Sequence, residues 1–215
     1  LLQFVDLLAV TIPGSQEPVT KDVIKTVESW GAGSSTLICN KKSLSAPWAA
    51  LVNGTAAHAF SHILYKALLF MSMGAVLFRT GTIKGSELGG LYKSMPYTTG
   101  LCIIGAASIS AFPLFSGFIS KSLIITATAV EGYWGVWLIL LFASAGVFHH
   151  SGIKIPYFAF FQHDSGKRPK EAPANMLIAM SLAAFLCIAV GVYPQALYNI
   201  LPYEVNFQPY TTTHV

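Results

Sequence analysis

Charge disappears from this chain in long, regular intervals. Residues 94–120, 132–153 and 172–203 contain no Asp, Glu, Lys or Arg. Each interval exceeds the roughly 20 residues a helix needs to cross a bilayer core. The third reads NMLIAMSLAAFLCIAVGVYPQALYNIL, with Pro173 ahead of the apolar run and Pro194 at its far end. The second reads YWGVWLILLFASAGVF, with Tyr133 and Trp134 at its front edge, as in an interfacial aromatic belt. A fourth apolar run, HILYKALLFMSMGAVLF over 62–78, is interrupted only by Lys66 and stops at Arg79.

The first interval is too long for one span and contains Pro113 and Gly117. The pattern predicts two segments, one from Pro96 to Phe112 and one from Phe115 to just before Glu131. The second contains Lys121. Irregular backbone at membrane depth is tolerated only where protein or an aqueous cavity satisfies it, and broken helices recur at ion sites in transporters. The predicted fold is all-α. Four to five membrane spans with one broken helix occupy 58–215, and a short soluble helical segment precedes them. GAASISA (105–111) and ASAG (143–146) suit close helix packing. The loops 79–93 and 154–171 are both basic, so both favour the cytoplasmic side. Three crossings between them would put them on opposite sides. Orientation therefore stays open: one segment is re-entrant, or one loop breaks the rule.

Composition sharpens this division. Of 215 residues, 53% are hydrophobic and 10% charged, against about 25% charged in a soluble domain. Such scarcity of charge excludes a disordered chain, a coiled coil and a nucleic-acid binder. Residues 1–57 hold Asp6, Glu17, Lys21, Asp22, Lys25, Glu28, Lys41 and Lys42, which balance to zero. The whole net charge of +4 lies in 58–215. The start, LLQFVDLLAV, lacks the basic region of a signal peptide, and Asp6 interrupts it. Asn53-Gly-Thr55 therefore reads as a chance sequon. Cys39, Cys102 and Cys187 are far apart, with no metal or redox spacing. No metal, cofactor or covalent catalysis is expected.

Two lysines carry the chemistry. Lys66 and Lys121 each stand in an otherwise apolar segment, where a central Lys costs roughly 2.5–3.5 kcal/mol on insertion scales. Snorkelling to the headgroups is the competing reading for both. His58, His62 and Lys66 are spaced by four, which stacks them on one helix face. Neutral His donates at one ring nitrogen and accepts at the other, so this row can relay a proton. His149 and His150 read as the polar end of the third span.

Residues 58–215 resemble the C-terminal part of the antiporter-like membrane subunits shared by respiratory complex I and multisubunit Na+/H+ antiporters. HAFSHILYKALLF (58–70) is similar to that family's HxxxHxxxKAxLF element. GLYKSMP (90–96) and SAFPLFSGFISK (110–121) match its next two motifs, in order. SKSL and GVFHHSGIKIPYFAFF are most similar to the D-type subunit of the Mrp-type antiporter. The resemblance implies proton translocation coupled to a monovalent cation, with His58, His62, Lys66 and Lys121 on the ion path. It also implies a genuine break at Pro113 and Gly117. The partners it implies are a lipid bilayer and other membrane subunits of an antiporter or complex I-like assembly. The implied location is the bacterial inner membrane, as a multi-pass protein and a transporter component, not an enzyme. A proton-pumping subunit of an NADH:quinone oxidoreductase is the alternative.

Residues 1–57 resemble the N-terminal region of the MmgE/PrpD family through LLAVTIPGSQEP, VESWGAGSSTLI and LSAPWAALVNGTAAHAF, the last reaching into Phe60. That resemblance implies a helical fragment of a lyase or dehydratase. The expected Asp-rich stretch is replaced by Ser61-His62-Ile-Leu-Tyr, so the activity is disfavoured. The expected boundary between the two parts is at 57/58.

Overall fold

The computed structural model describes residues 32–36, 43–44 and 46–211. A short antiparallel pair, β1 (Ala32–Thr36) and β2 (Ser43–Leu44), precedes the helices. It stands in part of the leader where helix is expected. The rest is helical: α1 (Ala46–Thr80), α2 (Pro96–Ile109), α3 (Ser116–Val130), α4 (Trp134–Phe161), α5 (Ala174–Val192) and the single turn α6 (Gln195–Tyr198). Stretches of α1, α4 and α5 are each long and apolar enough to cross a membrane, while α2 and α3 are shorter. The polytopic all-α reading holds. The leader's remaining residues, 1–31, 37–42 and 45, lie outside the described residues. The expected 57/58 boundary falls inside α1, which runs through it without interruption.

Side-chain register shows how the short helices combine. Gly105 of α2 lies against Leu68 and Leu69 of α1, and Gly117 of α3 against Tyr65. Further along, Ser120 meets His58, and Ile124 meets Gly54. Numbers rise along α2 and α3 while they fall along α1. The two short helices therefore continue in one direction, antiparallel to α1, as one discontinuous span. The bundle has four crossings, α1, α2–α3, α4 and α5, and two of them separate the basic loops. Both loops lie on the same side, which removes the conflict that three crossings would create. They are bonded to each other: Lys93 Nζ lies 2.9 Å from an Asp164 carboxylate oxygen, and Ser165 Oγ donates to the Gly89 carbonyl at 3.0 Å.

The ends of these elements follow from local chemistry. Gly81, with φ +75°, closes α1 in the left-handed conformation. Pro96 opens α2, where its missing N–H costs nothing. Glu171 caps α2 from a distance: its carboxylate accepts from the Tyr97 N–H at 2.8 Å and the Thr98 hydroxyl at 2.6 Å. The negative charge also suits the helix N-terminus. Along α5, Met180, Ala183, Ala184, Cys187, Val190 and Gly191 form the buried stripe expected of an amphipathic contact.

The third span, α4, differs from its expected form. His149 and His150 do not end it, because α4 continues to Phe161. Wider π-helical turns at Phe148–Ile153 and Tyr157–Phe161 flank Pro156, whose ring cannot sit in a regular α-helical ladder. No residue of Trp134–Val147 is buried. After α6 the chain returns to α1, where Asn53 clasps Tyr203. The Asn53 amide donates to the Tyr203 carbonyl and accepts from its N–H, both at 3.1 Å. The expected chance sequon is thus a buried structural amide.

Candidate functional site

The site is built on the break between α2 and α3. In a continued helix the Ile109 carbonyl would accept from the residue four further on, which is Pro113, and proline has no N–H. The chain leaves the helix there, with Ala111 (φ +58°) and Leu114 (φ +71°) in the left-handed region. Such backbone is strained for residues bearing a Cβ and needs support from its surroundings. Support comes from two glycines. A Cβ on Gly117 would collide with the Ser108 carbonyl oxygen, and one on Gly191 would collide with the Leu114 carbonyl oxygen. Only glycine admits both approaches.

Lys121 then satisfies the carbonyl that Pro113 abandons. Its Nζ donates to the Ile109 carbonyl at 2.8 Å and to Ser144 Oγ of α4 at 3.1 Å. Two of its three protons are used, and both acceptors are uncharged. Lys121 is half-buried. On the α1 side, His58 Nδ1 lies 3.1 Å from Ser120 Oγ, the residue beside Lys121. A cavity of about 170 Å3 is lined by His58, Lys121, Ile125, Leu140 and Ser144. A second, of about 530 Å3, is lined by Lys121, Ser122, Ile125, Thr126, Trp137 and Ser144. Lys121 and Ser144 border both.

The four titratable residues named from sequence are not all brought together. His58 and Lys121 share a cavity wall. His62 lies beside His58 with ring centroids 6.0 Å apart and the rings tilted, and edge-on to Tyr65 at 5.4 Å. His62 and Lys66 continue along an exposed face of α1, and Lys66 makes no hydrogen bond or ion pair among the described residues. Pro113 lies between α2 and α3, and Gly117 is the second residue of α3. Sequence reading missed Ser120, Ser144 and the Ile109 carbonyl. Ser144 was visible only as one small residue of ASAG. No group of three or more His, Cys, Asp or Glu among the described residues could hold a metal ion.

Outside the spans, the Arg168 guanidinium, with the Lys93 ammonium and the Gly166 N–H, holds the Asp164 carboxyl well below the usual carboxylate range. Glu87 is lowered too, by the Thr82 hydroxyl and by Lys84.

Residues 45–149 match the family model described as NADH:quinone oxidoreductase/Mrp antiporter, TM. That stretch, just under half of the chain, is similar to this antiporter-like family. It is 31% identical over 191 residues to the A-type subunit of the Na+/H+ antiporter of Alkalihalophilus pseudofirmus, covering 81% of this chain and 23% of the relative. It is 28% identical over 153 residues to the NADH-quinone oxidoreductase subunit L of Campylobacter jejuni, covering 70% and 25%. The structure of the membrane-bound sulfane sulfur reductase, an archaeal respiratory membrane complex, contains a similar chain. That match has a TM-score of 0.64 and 28% identity, over 71% of this chain and 26% of that one. The chain spans about a quarter of the length of the curated relatives it matches. The family match begins at residue 45, one position before α1. It therefore includes the last thirteen positions of the part expected to resemble MmgE/PrpD, and none of the relatives named above belongs to that family. These similarities, with three helices long and apolar enough to cross a membrane, are consistent with a multi-pass membrane protein of the complex I/Mrp antiporter-like kind.

Proposed function

We propose that the chain moves protons through the membrane as part of a monovalent cation/proton antiporter subunit in the bacterial inner membrane, working beside other membrane subunits. The observation that carries this reading is Lys121, a lysine inside a broken span, bonded to two neutral oxygens and bordering two cavities. Among the described residues Lys121 has no carboxylate partner, and a basic group so held is suited to gaining and losing a proton, because its charged form is only weakly compensated. His58 is the next group along, through Ser120. His62 and Lys66 extend the row on α1, on the face that the described residues leave uncovered. The SKSL and GVFHHSGIKIPYFAFF runs support the finer assignment to the D type of Mrp subunit.

The test uses inverted membrane vesicles from cells producing the chain with its native partner subunits. Lys121→Ala is expected to lower cation-driven dissipation of a pH gradient at least tenfold, and Lys66→Ala to lower it as well. Wild-type rates in both variants would overturn the assignment. The likeness to a subunit L favours a second reading, a proton-pumping subunit of an NADH:quinone oxidoreductase. In that case NADH oxidation drives the gradient in the same vesicles, and added Na+ or K+ does not dissipate it.

A further inference from the structure

We propose that Ser144 is a positioning residue for Lys121, fixing its ammonium at the boundary of the two cavities. The inference rests on the reading of Lys121 as a proton-carrying group. Lys121 has a long, flexible stem, so its Nζ is placed only by what it bonds to. One acceptor, the Ile109 carbonyl, belongs to backbone held by the break. It fixes a single direction and leaves the ammonium free to swing about that bond. The second acceptor, Ser144 Oγ at 3.1 Å, removes that freedom.

Two further observations point to the hydroxyl itself. Ser144 is the one hydroxyl in Trp134–Val147, a stretch that is otherwise apolar, with Gly, Ala and Trp beside larger side chains. That stretch buries no side chain, so Ser144 does not serve there as core packing. Ser144 also lines both cavities, as Lys121 does. The bond between them therefore lies where the His58 side meets the Ser122–Thr126 side. With two protons engaged, one N–H of Lys121 remains to donate at the border of the two cavities. Loss of the hydroxyl leaves the lysine present, but free to rest in unproductive orientations.

The test compares Ser144→Thr with Ser144→Val, which differ by a hydroxyl and have nearly the same shape. Ser144→Ala serves as a smaller variant. Rates of pH-gradient dissipation are measured in the vesicles described above and normalised to the amount of chain in the membrane. Ser144→Thr is expected to stay within about twofold of wild type. Ser144→Val and Ser144→Ala are expected to fall about tenfold, the scale of a lost hydrogen bond to a charged group. Equal rates in Ser144→Thr and Ser144→Val, whether both high or both low, would overturn the proposal. Wild-type transport in Lys121→Ala would instead overturn the functional reading beneath it.

Discussion

Pro113 and Lys121 are eight residues apart, and one explains the other. Proline removes the N–H that Ile109 would use, and the lysine ammonium takes its place. The break was legible in sequence because proline and glycine interrupt a charge-free interval. The acceptor was not, because a backbone carbonyl leaves no mark in the residue string. Ser144 was hidden for a different reason. A lone serine among alanines and glycine reads as a packing residue, and its partner is 23 positions away. The geometry makes a sharp distinction between glycines. A Cβ on Gly117 would collide with the Ser108 carbonyl, whereas one on Gly146 would meet nothing within 4 Å. Gly117→Ala must push two backbones apart, beyond the roughly 1–3 kcal/mol of ordinary overpacking. Gly117→Ala is therefore expected to reduce the amount of chain recovered in detergent-solubilised membranes severalfold, while Gly146→Ala leaves it unchanged. Normal recovery of Gly117→Ala would show that the break does not depend on this contact.

At the scale of elements, most helices were readable and their grouping was not. Intervals without charge marked α4 and α5, and the residues flanking Pro113 marked α2 and α3 to within a few positions. That α2 and α3 share one direction depends on contacts with α1, which no local pattern encodes. The extension of α4 past His150 escaped notice because Lys154 and Pro156 resemble a helix end. The loops joining these spans are clasped by Asp164, which accepts from Lys93 at 2.9 Å and from Arg168 at 2.8 Å. Its depressed pKa means that the clasp stabilises the native loops at all pH values above the ordinary Asp value of about 4. The contribution declines as pH falls below the ordinary Asp value and is gone once pH has fallen through the lower native value. Asp164→Asn is expected to speed trypsin cleavage after Lys167 by a few-fold between about pH 6 and 9, with no trend across that range. A cleavage rate equal to wild type would show that the clasp is not formed in the membrane-bound protein.

The whole molecule has a polarity that the sequence pattern alone left open. With α2 and α3 counted as one span, both basic loops meet on one side of the bundle. Lys84, Lys93, Lys167, Arg168 and Lys170 lie there. At the other end, the described residues carry Glu131 and Glu204 and no Lys or Arg. The positive-inside rule then acts without conflict and directs the loop side to the cytoplasm. This polarity can be read by labelling single cysteines with a membrane-impermeant maleimide, in a background where Cys39 is replaced by Ser. Cys102 and Cys187 are buried and contribute little signal. Ser86 in the first loop and Gln208 in the tail are both accessible to solvent. Ser86→Cys is expected to label in inverted vesicles and not in right-side-out ones, and Gln208→Cys to show the reverse. The chain passes from Ser86 through the broken span, α4 and α5 before reaching Gln208, and three crossings require opposite sides. Labelling of both positions from the same side would mean an even number of crossings between them. That outcome would refute the single discontinuous span, and with it the setting in which Lys121 finds the Ile109 carbonyl.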